Sequence, residues 1–201
     1  MKKSIFLLLL PLCFHVHAQE QNDNSDEKKG FPKYKLFTGG SATLGLANGS
    51  TMIGLTPQFG MSVTDWMDAG VTFNWNYLSE NDPNSPAKVK LNTYGPGAFV
   101  RLFPLNFLFA TAQYEHNFMS QKYIPGVSGQ PAQTIHYGAS SLLLGGGYAG
   151  GRQRGGNTYY YMSVSWDVLG ETNSPYVDSY GRSIVQFRVG YNIGLFQKRY
   201  R

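Results

Sequence analysis

The side chains able to do covalent chemistry cluster in two short stretches. His116 lies beside Glu115 and four residues before Ser120, and His136 lies four residues before Ser140 and five before Ser141. A serine activated by histidine, with a carboxylate to orient the imidazole, is the constellation of acyl-transfer hydrolysis. It needs base and nucleophile within hydrogen-bond reach. On a strand, residues two or four apart share a face, so His116 with Ser120 and His136 with Ser140 meet that condition; Glu115 has the opposite parity from His116 and cannot orient it. Metal binding finds less support. Of the four histidines, His15 and His17 lie in an N-terminal stretch that reads as removable, and His116 and His136 alone are too few for a tetrahedral site. No cofactor is expected.

A second set is electrostatic. Asp68, Arg101, Glu115, Asp167 and Arg188 each stand inside a run of alternating apolar and polar residues. The closing run, Ser183 to Phe196, shows the pattern. Val185, Phe187, Val189, Tyr191, Ile193 and Leu195 occupy one face, and Gln186, Arg188, Gly190, Asn192 and Gly194 the other. Period-two alternation predicts a strand, with a charge-free apolar face and a polar face carrying an arginine. Lipid on one side and a polar interior on the other would produce it.

The elements that must position these residues repeat this grammar. Strands are predicted over about 35–46, 51–63, 66–78, 89–103, 107–118, 134–149, 158–169 and 183–196. Asn48-Gly49, Thr64-Asp65 and Pro104-Leu105-Asn106 read as tight turns, and loops follow at Glu80–Lys88, Met119–Gln133 and Gly170–Gly181. The faces of the glycine-rich sixth segment, Thr134–Ala149, are not assignable from the pattern. From the second connection onward, tight and long connections alternate, as in barrels with short periplasmic turns and longer outer loops. Phe103, Tyr160, Trp75, Tyr77, Tyr94, Tyr114 and Trp166 fall near strand ends, as interface girdles would. Lys90 has outward parity at the outer rim. A soluble barrel of lipocalin type would reverse the faces and carry Lys and Glu on the polar one. Here that face is mostly Gly, Ser, Thr, Asn and Gln.

Composition agrees. Lys2 and Lys3, the apolar run to Cys13 and the small-residue site ending at Ala18 form a secretory signal peptide with cleavage after Ala18. Leu12 is too bulky for lipoprotein processing at Cys13. The mature chain then holds no cysteine, since Cys13 is the single one in the sequence. The formal charge of +5 invites a nucleic-acid reading. It is better explained by solvated clusters at Lys28-Lys29, Arg152 with Arg154, and Lys198-Arg199-Arg201. The expected organisation is a signal peptide over 1–18, a disordered periplasmic leader over 19–33, a barrel over 34–197 and a basic tail over 198–201.

The stretches GPGAFVRLFPLNFLFATAQYEHNF (Gly95–Phe118), SLLLGGGYAG (Ser141–Gly150), WDVLGETNSPY (Trp166–Tyr176) and FRVGYNIGLF (Phe187–Phe196) resemble a family of small bacterial outer-membrane β-barrel proteins. Members often carry the label alpha-ketoglutarate decarboxylase. The chain is too short for a thiamine-diphosphate enzyme, and its strands leave no α/β domain for that cofactor. The closing strand resembles the signal read by the barrel-insertion machinery, at Arg188, Gly190, Ile193 and Leu195.

The expected architecture is all-β: an eight-stranded antiparallel up-and-down transmembrane barrel in the bacterial outer membrane, monomeric, with both termini periplasmic. Its interior charges form a salt-bridged plug rather than a conduit, because eight strands leave room only for side chains. Arg188 is expected to pair with Asp68, Glu115 or Asp167. The expected role is structural or interactive. Its partners are outer-membrane lipid, the insertion machinery during assembly, and extracellular protein or glycan met through the three loops; nucleic acid is not among them. Two alternatives are a lipid A hydrolase built on His116 or His136, because some eight-stranded outer-membrane enzymes use serine, histidine and carboxylate, and a narrow transport conduit.

Overall fold

Each alternating segment pairs with its neighbour in sequence, and the last pairs with the first. The computed structural model describes residues 32–47, 50–81, 87–127, 129–154, 156–178 and 180–196. The expected signal peptide, the leader up to Phe31, the Asn48-Gly49 turn and the basic tail lie outside those residues; the last two leader positions, Pro32 and Lys33, are ordered at the start of a turn. After a single 3-10 turn at Lys33–Lys35 come β1 (Leu36–Ala47), β2 (Ser50–Thr64), β3 (Met67–Asn81), β4 (Lys88–Leu105), β5 (Leu108–Ile124), β6 (Gln133–Gly150), β7 (Tyr159–Asp167) and β8 (Gln186–Gly194). All pairings are antiparallel and the ring closes, giving an eight-stranded barrel. The closing seam runs from Phe37 opposite Gly194 to Gly45 opposite Gln186. Closure leaves no sheet edge along the seam, which is how an all-β chain protects its backbone polar groups. No helix among the described residues is long and apolar enough to cross a membrane.

Side-chain parity follows the sequence. β7 alternates strictly between buried and exposed positions. Outward stand Leu55, Phe59, Val71, Phe73, Trp75, Val100, Tyr114, Tyr160, Trp166, Phe187, Val189 and Tyr191, all exposed, while Asp68, Asn74, Asn76, Glu115, Asn117, Gln186 and Asn192 are buried inside. Polar groups fill the centre and apolar groups coat the wall, the reverse of a soluble barrel. Among the described strand residues, Lys88, Lys90 and Lys122 are the only charged side chains on the outward face, and they cluster at the loop end, where Lys90 lies directly opposite Lys122.

Several boundaries differ from expectation. β5 runs on to Ile124 and β6 starts at Gln133, so both ends of the Met119–Gln133 loop are strand that continues the β5–β6 ladder in unbroken register, from Met119 opposite Tyr137 to Tyr123 opposite Gln133. Alternation fades there because both faces are hydrated. β7 and β8 are shorter than their apolar patterns, ending the ladder at Asp167 and beginning it at Gln186. β6 therefore outruns β7, which pairs only with Leu143–Gly150. The structure also fixes the facing of β6: Ala139, Ser141 and Leu143 point inward, and Leu144 and Tyr148 outward. Its glycines answer a packing need. A Cβ on Gly147 would stand 2.8 Å from both the Phe109 ring and the Ser163 Cα.

Phe103 is not part of a girdle. It is 4% exposed and packs inside the barrel with Phe109, Tyr159 and Tyr161. Its parity, shared with Phe99 and Arg101, is inward; position near a strand end does not override the pleat.

Candidate functional site

The interior is layered from the turn end to the loop end. At the turn end, Asp68 on β3 accepts a hydrogen bond from the Tyr159 hydroxyl at 2.7 Å and pairs with Arg152 at 3.5 Å. Arg152 also donates to the Asp65 carbonyl at 3.1 Å, and its guanidinium lies 3.7 Å from the Phe103 ring centre. The expectation of a solvated Arg152 is thus corrected. The β6–β7 connection folds back under the barrel, Asp68 supplies a counter-charge, and the long aliphatic stem lets the guanidinium reach it. Phe103, Phe109, Ala149, Tyr159 and Tyr161 form the apolar floor of this layer.

The middle layer holds the remaining interior arginines. Arg101 on β4 donates to Gln58 Oε1 at 2.8 Å and approaches the Tyr159 hydroxyl at 3.5 Å. The Gln58 amide in turn donates to Asn192 on β8. Arg188, also on β8, donates to Gln113 at 2.8 Å and forms an ion pair with Glu115 at 3.4 Å. Of the three carboxylates foreseen as partners for Arg188, the structure selects Glu115.

Nearer the loop end, Glu115 accepts a hydrogen bond from the Tyr176 hydroxyl, which also accepts one from Asn76 at 3.1 Å. Asn74 donates to Asn117 across the same level. Tyr176 belongs to the β7–β8 loop, expected to be a contact surface throughout. Instead its 174–176 segment is buried in the barrel mouth. Ser174 donates to Asp167 at 2.6 Å and bonds Ser141 at 3.0 Å, and Tyr176 and Ile184 are fully shielded against Met52, Leu78, Leu91 and Met119. Asp167 holds this loop rather than an arginine, accepting from the Leu142 amide at 3.0 Å and the Leu169 amide at 3.1 Å as well. The burial of Tyr176 follows from chemistry the sequence hides. A phenol presents an apolar ring to the methionines and a donor to a carboxylate that needs one.

Outside this layer a cleft of about 420 Å³ opens at the mouth, lined by Leu78, Leu91, Ile135, His136, Asn173 and Asp178 among others. Its rim is a tight turn. Partial burial pulls the Asp178 carboxyl upward. The Arg182 and Tyr180 amides and the Arg182 guanidinium donate to it, and the net result is a carboxyl held below its usual range. Gly181 supplies the positive φ of 77° that closes the turn.

The serine–histidine candidates stand on the outer wall, with His136 also at the rim of that cleft. Neither pairs along its own strand as the spacing allowed. The barrel register sets His116 opposite Ser140 and Ser120 opposite His136. His116 Nδ1 is 3.1 Å from Ser140 Oγ, which also accepts a hydrogen bond from the Tyr114 hydroxyl at 3.0 Å. Glu115 faces the interior, as its parity requires. Glu171 stands nearby, but its carboxylate accepts the Ser140 backbone N–H at 3.1 Å rather than holding the imidazole. Cross-strand pairs of this kind are invisible without the register. Among the described residues, no group of three or more His, Cys, Asp or Glu could hold a metal ion.

The residues of the insertion-like pattern sit on β8 and just beyond it. Arg188 points inward and Ile193 outward, Gly190 packs against the Tyr161 ring, and Leu195 donates its N–H to the Leu36 carbonyl at 2.7 Å.

No protein-family model matches the chain, and no curated protein does. Among solved structures, Ail, the attachment invasion locus protein of Yersinia pestis, aligns with a TM-score of 0.48 at 9% identity, over 79% of this chain and 96% of its own. The N-terminal β-barrel domain of Pseudomonas aeruginosa OprF aligns with a TM-score of 0.45 at 14% identity, over 78% and 97%. Neisserial surface protein A aligns with a TM-score of 0.38 at 10% identity, over 80% and 96%. Likenesses this distant carry neither identity nor function; the eight-stranded closed barrel rests on the strand pairing itself.

Proposed function

We propose that the chain is an integral protein of the bacterial outer membrane, with a closed interior and a structural or surface-interaction role. The observation that carries this reading is the inversion of polarity. An apolar, aromatic-rich wall surrounds a centre of ion pairs and amides, and among the described strand residues the outward charges are confined to the loop-end lysines. A mid-belt lysine or arginine would cost about 2–4 kcal/mol, whereas Lys88, Lys90 and Lys122 at the rim reach the headgroup layer. Export by the N-terminal signal and insertion through the pattern at Arg188, Gly190, Ile193 and Leu195 would place both termini in the periplasm.

Closure follows from filling. The ion pairs of Arg188 with Glu115 and Arg152 with Asp68 cross the lumen, and Tyr176 caps the upper one. The contact surface is the loop end: the 420 Å³ cleft, and the stretch of β6 from Gln133 to Leu142 that β7 does not cover. Reconstitution into planar bilayers tests the closed interior. Wild type and Arg101→Ala should both show no stepwise conductance, and a sustained open channel in the native protein would overturn the reading.

One observation favours a second reading. The 3.1 Å approach of His116 to Ser140 on the lipid-facing wall is the geometry of a base and a nucleophile, as a lipid A hydrolase would need. The lipid A acyl pattern of cells carrying wild type, Ser140→Ala or no protein decides it. An acyl chain lost only with wild type establishes the enzyme, and identical patterns in all three remove it.

A further inference from the structure

The interior arginines are not equally partnered. Asp68 engages Arg152 and Tyr159, and Glu115 engages Arg188 and Tyr176. Asp167 gives its oxygens to two backbone amides and Ser174 at the loop end. Arg101 is left with a neutral amide oxygen, Gln58 Oε1, and a phenol. Among the described residues it has no ion pair, although its cross-strand neighbour is Asp68. Arg101 is 5% exposed, and its guanidinium cannot shed its proton to escape the cost of burial. The Phe99 and Tyr161 rings, centred 4.7 and 4.2 Å from its central carbon, offset part of that cost but bring no net charge.

A small cavity adjoins this unbalanced charge. Arg101, Arg188, Gln58 and Gln113 line it, and it has room for one water-sized occupant. Four of its lining groups are buried without a hydrogen-bond partner: Thr56 Oγ1, Tyr161 Oη, Ser165 Oγ and Arg188 Nε, on residues 2%, 1%, 3% and 5% exposed. Each can donate a hydrogen bond. Buried polar atoms of native proteins are nearly always satisfied, so convergent unused donors beside an unneutralised cation indicate an acceptor carrying negative charge.

We infer that this cavity binds a single small monovalent anion of the halide class, chloride in the cell envelope, held between Arg101 and Arg188. Glu115 already neutralises Arg188, so the charge left to balance is one. The size of the space excludes phosphate, sulfate and carboxylates. The anion is then a structural counter-ion that the fold encloses, joining β2, β4, β7 and β8 across the lumen.

The test uses the folded full chain in detergent. Its thermal midpoint is measured in sodium chloride, sodium bromide and sodium gluconate at equal ionic strength, and crystals grown in bromide are examined for anomalous scattering. The expected result is one bromide peak between Arg101 and Arg188, with a midpoint higher in either halide than in gluconate. The rise should be about 4 °C at a tenfold excess of anion over its Kd. Gln58→Glu places a carboxylate where Gln58 now meets Arg101 at 2.8 Å; it should fold, lose the peak and lose the halide dependence. Absence of a peak at that position in wild type, equal midpoints in halide and gluconate, or halide dependence undiminished in Gln58→Glu would overturn the inference.

Discussion

Arg188 Nη2 lies 3.4 Å from Glu115 Oε1 across the lumen, joining the seam strand β8 to β5 on the far side of the ring. Both side chains are almost fully shielded, at 6% and 0% exposed. Removing one partner of such a pair strands the other charge, at a cost of about 3–5 kcal/mol. Glu115→Gln should therefore lower the unfolding midpoint in detergent sharply. Glu115→Gln with Arg188→Met should lower it by less than the sum of the two single changes.

The Tyr176 hydroxyl couples the β7–β8 loop to that ion pair, donating to Glu115 and accepting from Asn76. Tyr176→Phe keeps the ring in its apolar seat and deletes both bonds, leaving buried groups unsatisfied at about 1–3 kcal/mol. Limited proteolysis should cut the 168–183 loop faster in Tyr176→Phe than in wild type, with the strands uncut in both.

Gly190 on β8 faces Tyr161 on β7 in direct register. An added Cβ would collide with the Tyr161 ring and stand 2.6 Å from the Gly40 carbonyl oxygen. Gly190→Ala must then displace the ring and the strand, at about 1–3 kcal/mol. A midpoint close to wild type for Gly190→Ala would show that the seam is looser than this packing.

The Asp178 turn carries a pH dependence of definite sign. Its folded-state carboxyl titrates below the ordinary value of 3.8, so the stabilisation is complete above that value and is lost as pH falls through the depressed one. Protection factors of the Tyr180 and Arg182 amides should hold at neutral pH and fall below about pH 3.8. In Asp178→Asn they should be low throughout.

Much of the barrel was legible because its physics is periodic. Alternation placed Asp68, Arg101, Glu115, Asp167 and Arg188 on the inner face, since parity is a local property of the pleat. The glycine-rich β6 resisted because glycine has no side chain to show a face; only the Phe109 ring beside Gly147 and the Tyr160 ring beside Gly150 explain the residue choice. Arg152, Tyr176 and Phe103 depart from the pattern for two reasons. Arg152 and Tyr176 lie in loops, where sequence has no period, and are drawn inward by distant partners, Asp68 and Glu115; Phe103 lies within the alternation of β4, and its place near the strand end hid an inward parity. The His116–Ser140 approach depends on the β5–β6 register, which neither strand specifies alone.

The inversion of polarity is the central claim, and the migration of the membrane fraction on gels tests it most directly. A lipid-embedded closed barrel resists detergent until heated. The outer-membrane fraction should contain the protein, and the unboiled sample should run as a compact band that shifts on boiling. A protein found in the soluble fraction, or one migrating identically before and after boiling, would contradict the account.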